Sequence, residues 1–171
     1  MIKMFFSKIY KSWKGIQEEK YKRILLGFDT DLLAKAFSGK VLDLGSGSGF
    51  FEKFLQKEGF NLSKWVCLDP DMDMLGRSGG FLCMLGSGNY LPFKPGSFDN
   101  LICLDSIHLI REDFFWVLKP GGFALVSLFY NPGNLEDRRK FLKERIGNME
   151  TVKEFQIEGR ESEIFILARK R

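Results

Sequence analysis

The stretch VLDLGSGSGF, residues 41–50, runs an apolar segment into glycines at positions 45, 47 and 49. A glycine loop after a strand lets the backbone approach a nucleotide-like ligand, and the glycine spacing selects the ligand. A dinucleotide fingerprint requires G-x-G-x-x-G. Gly45 and Gly47 match it, but Phe50 occupies the third glycine position. That mismatch argues against a nicotinamide oxidoreductase. The phosphate-binding string G-x-x-x-x-G-K-[ST] does not occur in the chain. What remains is D-x-G-x-G-x-G, from Asp43 to Gly49.

Working outward, strands and helices alternate. KVLDL (40–44), KWVCLD (64–69), FLCML (81–85), SFDNLICL (97–104) and GGFALVSLF (121–129) read as strands. The intervening segments read as helices over 50–59, 71–75 and 111–118, with another over 135–146. Before the first strand, 3–26 and 29–37 have helical apolar spacing, and GFDTDL between them supplies a glycine stop and a cap. Strands that are apolar throughout imply a parallel sheet covered on both faces. The tail differs: TVKEFQIE, GR and SEIFILA read as a hairpin, with the apolar IFILA inside the sheet and VKEFQI at its edge. The expected fold is a three-layer α/β/α sandwich, Rossmann-like, whose mostly parallel seven-stranded sheet ends in an antiparallel C-terminal hairpin.

At 171 residues this is expected to be a single domain. It divides into an N-terminal helical cap (1–38), a glycine-loop half (39–130) and a C-terminal helix and hairpin (131–171). The net charge of +4 is uneven. Residues 1–40 carry nine Lys/Arg against four Asp/Glu, whereas 41–130 carry seven against ten. A basic arm beside a mildly acidic body suits an anionic partner. No apolar run approaches the roughly 18 residues of a membrane span. Lysines break the opening MIKMFFSKIYKSW too soon for a signal peptide, so a cytoplasmic, non-membrane location is expected. Cys67, Cys83 and Cys103 fall in three different strands without a CxxC pair and read as reduced, buried small hydrophobes.

The glycine pattern resembles the class I S-adenosylmethionine-dependent methyltransferases, and the resemblance continues in order. VCLDP (66–70) places an acid at the end of the second strand. LPFKPGSFDNLICL (91–104) and VLKPGG (117–122) resemble the segments that enter the fourth and fifth strands in the small-molecule-type subgroup. The resemblance implies S-adenosyl-L-methionine as cofactor and S-adenosyl-L-homocysteine as product. It assigns Asp43 to the methionyl amino end and Met74 to a place near adenine. Gly45, Ser46, Gly47 and Gly49 would form the loop against the ligand, with the helix opening at residue 50 aimed at its carboxylate. Asp69, followed by Pro70, would accept both ribose hydroxyls, and Leu104 would also bind the cofactor. Where the family usually carries an adenine-contacting acid, this chain has Ser87. Ser87, Asn89 or the backbone of Gly88 can still bond the base.

Methyl transfer from a sulfonium is an in-line displacement with a neutral leaving group, so neither a metal nor a covalent intermediate is required. A base matters only if the nucleophile must lose a proton. LDSIHLI (104–110) offers Asp105 as a site-wall group and His108 as a base or merely a turn residue. The chain lacks the [DN]PP[YFW] and Pro-Cys strings of DNA base amino- and carbon-5 methylation. The segment between the fourth and fifth strands is short, and Trp116 stands where the family often has arginine. YKSWKGIQEEKY (10–21) lies where the family places a closing helix, so Tyr10, Trp13 and Tyr21 are candidate lid or substrate residues. The expected acceptor is a small molecule or an anionic partner such as RNA. The rival expectation is a non-catalytic partner protein that keeps the fold.

Overall fold

The computed structural model describes residues 15–171. Residues 15–26 are helical (α1) and are followed by α2 (Thr30–Phe37), whose N-cap Asp29 accepts a 2.8 Å hydrogen bond from the Leu32 amide. Then come β1 (Val41–Leu44), α3 (Phe50–Lys57), β2 (Trp65–Asp69), α4 (Met72–Leu75), β3 (Cys83–Leu85) and β4 (Phe98–Cys103). The chain ends with β5 (Leu118–Phe129), α5 (Leu135–Ile146), β6 (Glu150–Ile157) and β7 (Glu163–Arg169).

The seven strands form one sheet in the order β3-β2-β1-β4-β5-β7-β6. β1 pairs in parallel with β2 and β4, whereas β7 runs antiparallel between β5 and β6. The expected hairpin therefore forms as read, with the buried IFILA segment inside the sheet and β6 at the edge. Alternation along the strands divides the core. Leu42, Leu44, Leu101 and Val126 face α5 and the loops, while Val41, Ile102, Leu125 and Phe165 face the α1–α3 layer. Cys67 and Cys103 are buried free thiols; Cys83 is only half-buried, because β3 is an edge strand. Among the described residues, no helix is long and apolar enough to cross a membrane.

One expected element does not form. Residues 111–118 are not a helix; the β4–β5 connection holds only 3-10 turns at Ile107–Leu109 and Phe115–Val117, and β5 already begins at Leu118. Phe114, Phe115, Val117 and Leu118 are all buried, a cluster too dense for the single apolar stripe of a surface helix. Asp113 fixes the tighter turn: its Oδ1 accepts from the Phe115 amide at 2.9 Å, and its carbonyl accepts from Trp116 Nε1. The third strand is also shorter than read, because only 83–85 pairs with β2.

Candidate functional site

The sheet order reverses between β1 and β4, which opens a crevice at their carboxyl ends. The chain leaving β1 turns at once. Gly45 takes φ +82°, Gly47 +57° and Gly49 +67°, a region that side chains disfavour. The first two glycines differ. A Cβ on Gly45 would lie 2.5 Å from the Ser106 side-chain carbon, so this glycine is required by the neighbouring loop. Among the described residues, a Cβ on Gly47 would meet nothing within 4 Å. Gly49 caps α3 without any side-chain bond to the helix start.

A cavity of about 610 Å³ lies over this loop. Of the residues expected from sequence, it brings together Asp43, Gly45, Ser46, Gly47, Met74, Leu104, Asp105 and Tyr21. Ser46 Oγ is buried with no hydrogen-bond partner among the described residues. Asp43 is 3% exposed, and its burial, followed by the neighbouring Glu52 carboxyl, pushes it well above the ordinary carboxylate range. Asp105, at the end of β4, adopts a left-handed φ of +50°. It is pinned there: its amide donates to Ser127 Oγ at 3.1 Å, and its Oδ1 accepts from the Phe129 amide at 3.0 Å.

Other expected residues stand back from the cavity wall, namely Gly49, Asp69, Pro70, Ser87, Gly88, Asn89 and His108. Asp69 is buried and braces the loop, since Oδ2 accepts from the Gly47 amide at 2.9 Å and Oδ1 from the Asp71 amide at 2.8 Å. Ser87 Oγ accepts from the Asn89 amide at 3.2 Å. Asn89 Oδ1 in turn accepts from the amides of Arg111 at 2.7 Å and Glu112 at 3.3 Å, which ties this segment to the β4–β5 connection. Gly88 packs so closely that a Cβ would fall 2.5 Å from Ile110. His108 is exposed in its 3-10 turn. Tyr10 and Trp13 lie outside the described residues. Tyr21 is buried, with its ring 4.9 Å from that of Phe51 and 5.6 Å from that of Phe54.

The sequence reading missed the far wall. Glu163, at the start of β7, is 1% exposed and pairs with Lys20 of α1 at 2.9 Å; Ser127 Oγ also donates to it. Burial raises the Glu163 carboxyl above its usual value, and Lys20 and Ser127 pull it back. Gln17 of α1 donates to Glu161 at 2.7 Å, closing the same side. A polar residue opening an otherwise apolar strand was the one available signal.

With this geometry in hand, comparisons with known proteins agree on the architecture. A family model described as a methyltransferase domain matches residues 42–126. A methyltransferase from Thermotoga maritima, described as a possible histamine N-methyltransferase, superposes with a TM-score of 0.68 at 17% identity, covering 97% of this chain and 96% of that one. A methyltransferase from Aquifex aeolicus gives 0.62 at 18% identity, covering 90% and 98%. At those identities the likeness concerns the fold. The human mitochondrial arginine-hydroxylase NDUFAF5 is 28% identical over 99 residues, which is 52% of this chain but only 28% of that protein's length. The domain match, the sheet order and the glycine loop after β1 lead to one assignment: the chain belongs to the class I S-adenosylmethionine-dependent methyltransferase family.

Proposed function

We propose that this chain binds S-adenosylmethionine over the glycine loop and transfers its methyl group to an acceptor held at the Asp105 end of the cavity. The observation that supports this most is the cavity floor at the switch point of the sheet: among the described residues, a buried acid, a partnerless hydroxyl and a glycine facing open space. These groups fit the cofactor. Asp43 suits an ammonium, Ser46 Oγ can donate to a carboxylate, and the uncapped start of α3 favours the same anion. Asp69 uses one lone pair on each oxygen for the loop, and a carboxylate offers about four acceptor sites, so ribose hydroxyls can still be taken.

When bound, the cofactor supplies an activated methyl group on a sulfonium. The chain's own contribution is orientation and exclusion of water, and alignment of this kind can be worth about 7–11 kcal/mol. Tyr21 and Gln17 close the α1 side, and Leu104 and Phe129 offer apolar surface to the reacting ends. Asp105, fixed through its backbone and Oδ1, can accept a hydrogen bond from the nucleophile through its other oxygen.

Asp105, Glu161 and Glu163 face this end of the cavity, and Lys20 is already paired with Glu163. Arg160 is the other cation among the described lining residues. This balance favours an amine or another neutral to cationic nucleophile, in keeping with the description of the Thermotoga neighbour. The basic N-terminal arm favours the rival acceptor, an RNA or phosphorylated metabolite. The full chain incubated with methyl-labelled S-adenosylmethionine, a panel of primary amines and fractionated cell extract should place label in an amine; label in RNA would select the rival. A second reading, a binding module that transfers nothing, draws on one observation: Ser87 and Asn89 spend their polar groups on the chain itself. Cofactor binding without transfer to any fraction would favour that reading.

A further inference from the structure

Beneath the cavity floor lies a second acid that neither the sequence reading nor the mechanism above uses. Glu52, on the first turn of α3, is 0% exposed and does not line the cavity. The Cys67 thiol of β2 donates to its Oε1 at 3.0 Å, while its Oε2 is buried without a donor among the described residues. Cys67 is also the register partner of Asp43 on β1, so the two buried acids flank one thiol, and burial, followed by the Glu52 carboxyl, raises that of Asp43. Two carboxylates cannot hydrogen-bond each other, because both only accept; their approach is attractive when one proton lies between them.

The surroundings reinforce this. The groups that act most strongly on Asp43 are acids: Glu52 from α3, Asp69 from the end of β2 and the Cys83 thiol from β3. Cys67 of β2, Cys103 of β4 and the Tyr21 phenol of α1 face the same cluster, and each is pushed upward by burial first and by these carboxyls next. The neighbouring Lys53 turns its ammonium away, to the carbonyls of Ser48 and Arg77. Among the described residues, the floor is therefore a buried acid pair without a cation beside it, and its upper member, Asp43, opens on the cavity.

We propose that Asp43 and Glu52 form a single two-carboxylate seat, which holds one shared proton in the free protein and exchanges it for the α-ammonium of the cofactor. This rests on the methyltransferase reading. The exchange balances: the carboxyl O–H bond breaks, the proton leaves to the buffer, and the seat passes from one negative charge to two. The ammonium keeps its three protons and contributes one positive charge, so seat plus occupant stays at one negative charge. Glu52 acts through Asp43 and is a positioning residue.

Cofactor affinity then rises with pH, by about tenfold per unit until the pair is ionised, and levels off above that point. Calorimetric titration of the full chain with S-adenosylhomocysteine, in phosphate and in Tris at matched pH between 6 and 8, reads the proton directly. The expected result is release of about one proton per ligand, and an infrared protonated-carboxyl band in the free protein that disappears on binding. Glu52→Gln keeps the shape and gives Asp43 an amide donor, so proton release falls to about zero and the pH slope flattens. Buffer-independent heats in the wild type, or unchanged proton release in Glu52→Gln, would overturn the seat. If Glu52→Gln does not fold, the wild-type heats decide alone. If S-adenosylhomocysteine does not bind at all, the methyltransferase reading fails instead; the infrared band of the free protein then tests the shared proton, and its absence overturns it.

Discussion

The Asp69 carboxylate accepts a 2.9 Å hydrogen bond from the amide of Gly47, so the acid expected to hold a ribose also shapes the loop over which the ribose would lie. A second backbone bond, from the Asp71 amide, ties the same side chain to the start of α4. Asp69→Ala should therefore lower stability as well as cofactor affinity, each by about 1.5–3 kcal/mol for lost hydrogen bonds to a charged group. Urea unfolding alongside ligand titration measures both. An affinity loss with full stability retained would show that the loop holds itself.

Gly45 and Gly47 should separate under the same substitution. Gly45→Ala puts a methyl against Ser106 in a left-handed backbone and should cost the fold well over 2 kcal/mol. Gly47→Ala meets open space and should cost only the backbone strain of about 1–2 kcal/mol, yet weaken the cofactor by filling its side of the cavity. Thermal melts with and without S-adenosylhomocysteine distinguish the two; equal losses of stability would contradict the geometry.

Lys20 and Glu163 join α1 to β7 inside the cavity wall. Lys20→Met strands a buried carboxyl and should cost about 3–5 kcal/mol near neutral pH. The pH dependence follows from the raised Glu163 value. A carboxyl raised in the folded state binds its proton there more tightly than in the unfolded chain. Its stability contribution is complete below the unfolded value of about 4.3 and is lost as pH rises through the folded value. Without Lys20 that folded value rises further, so the variant should melt higher at pH 5 than at pH 8, by a wider margin than the wild type. Parallel pH profiles would show that Glu163 is not controlled by Lys20.

His108→Asn should reduce methyl transfer less than tenfold, because the imidazole is exposed and off the cavity wall. Asp105→Asn should cost more, since Asp105 lines the cavity. A base in the usual sense contributes about 10²–10⁴ to rate, so a loss of that size at His108 with intact cofactor binding would reverse the assignment.

The parts of this molecule that were legible in the sequence are the local ones. D-x-G-x-G-x-G marks a loop whose glycines all take positive φ, and the apolar IFILA segment is buried throughout and lies inside the sheet. What the sequence did not reveal depends on long-range meetings. Lys20 and Glu163 are 143 positions apart in sequence. Glu52 reads as an ordinary helix-face acid until α3 packs it against Asp43 and Cys67. The missing helix at 111–118 arises from competition: its apolar residues are needed by the core in a denser pattern than a helix can present.

Calorimetric titration of the full chain with S-adenosylhomocysteine tests most directly whether the cavity over the glycine loop binds S-adenosylmethionine. Binding should be saturable and one-to-one, and it should raise the melting temperature with the logarithm of ligand concentration above Kd, as for any native-state ligand. Asp69→Ala should weaken the binding. Absence of binding at millimolar ligand, with the protein folded, would contradict the account.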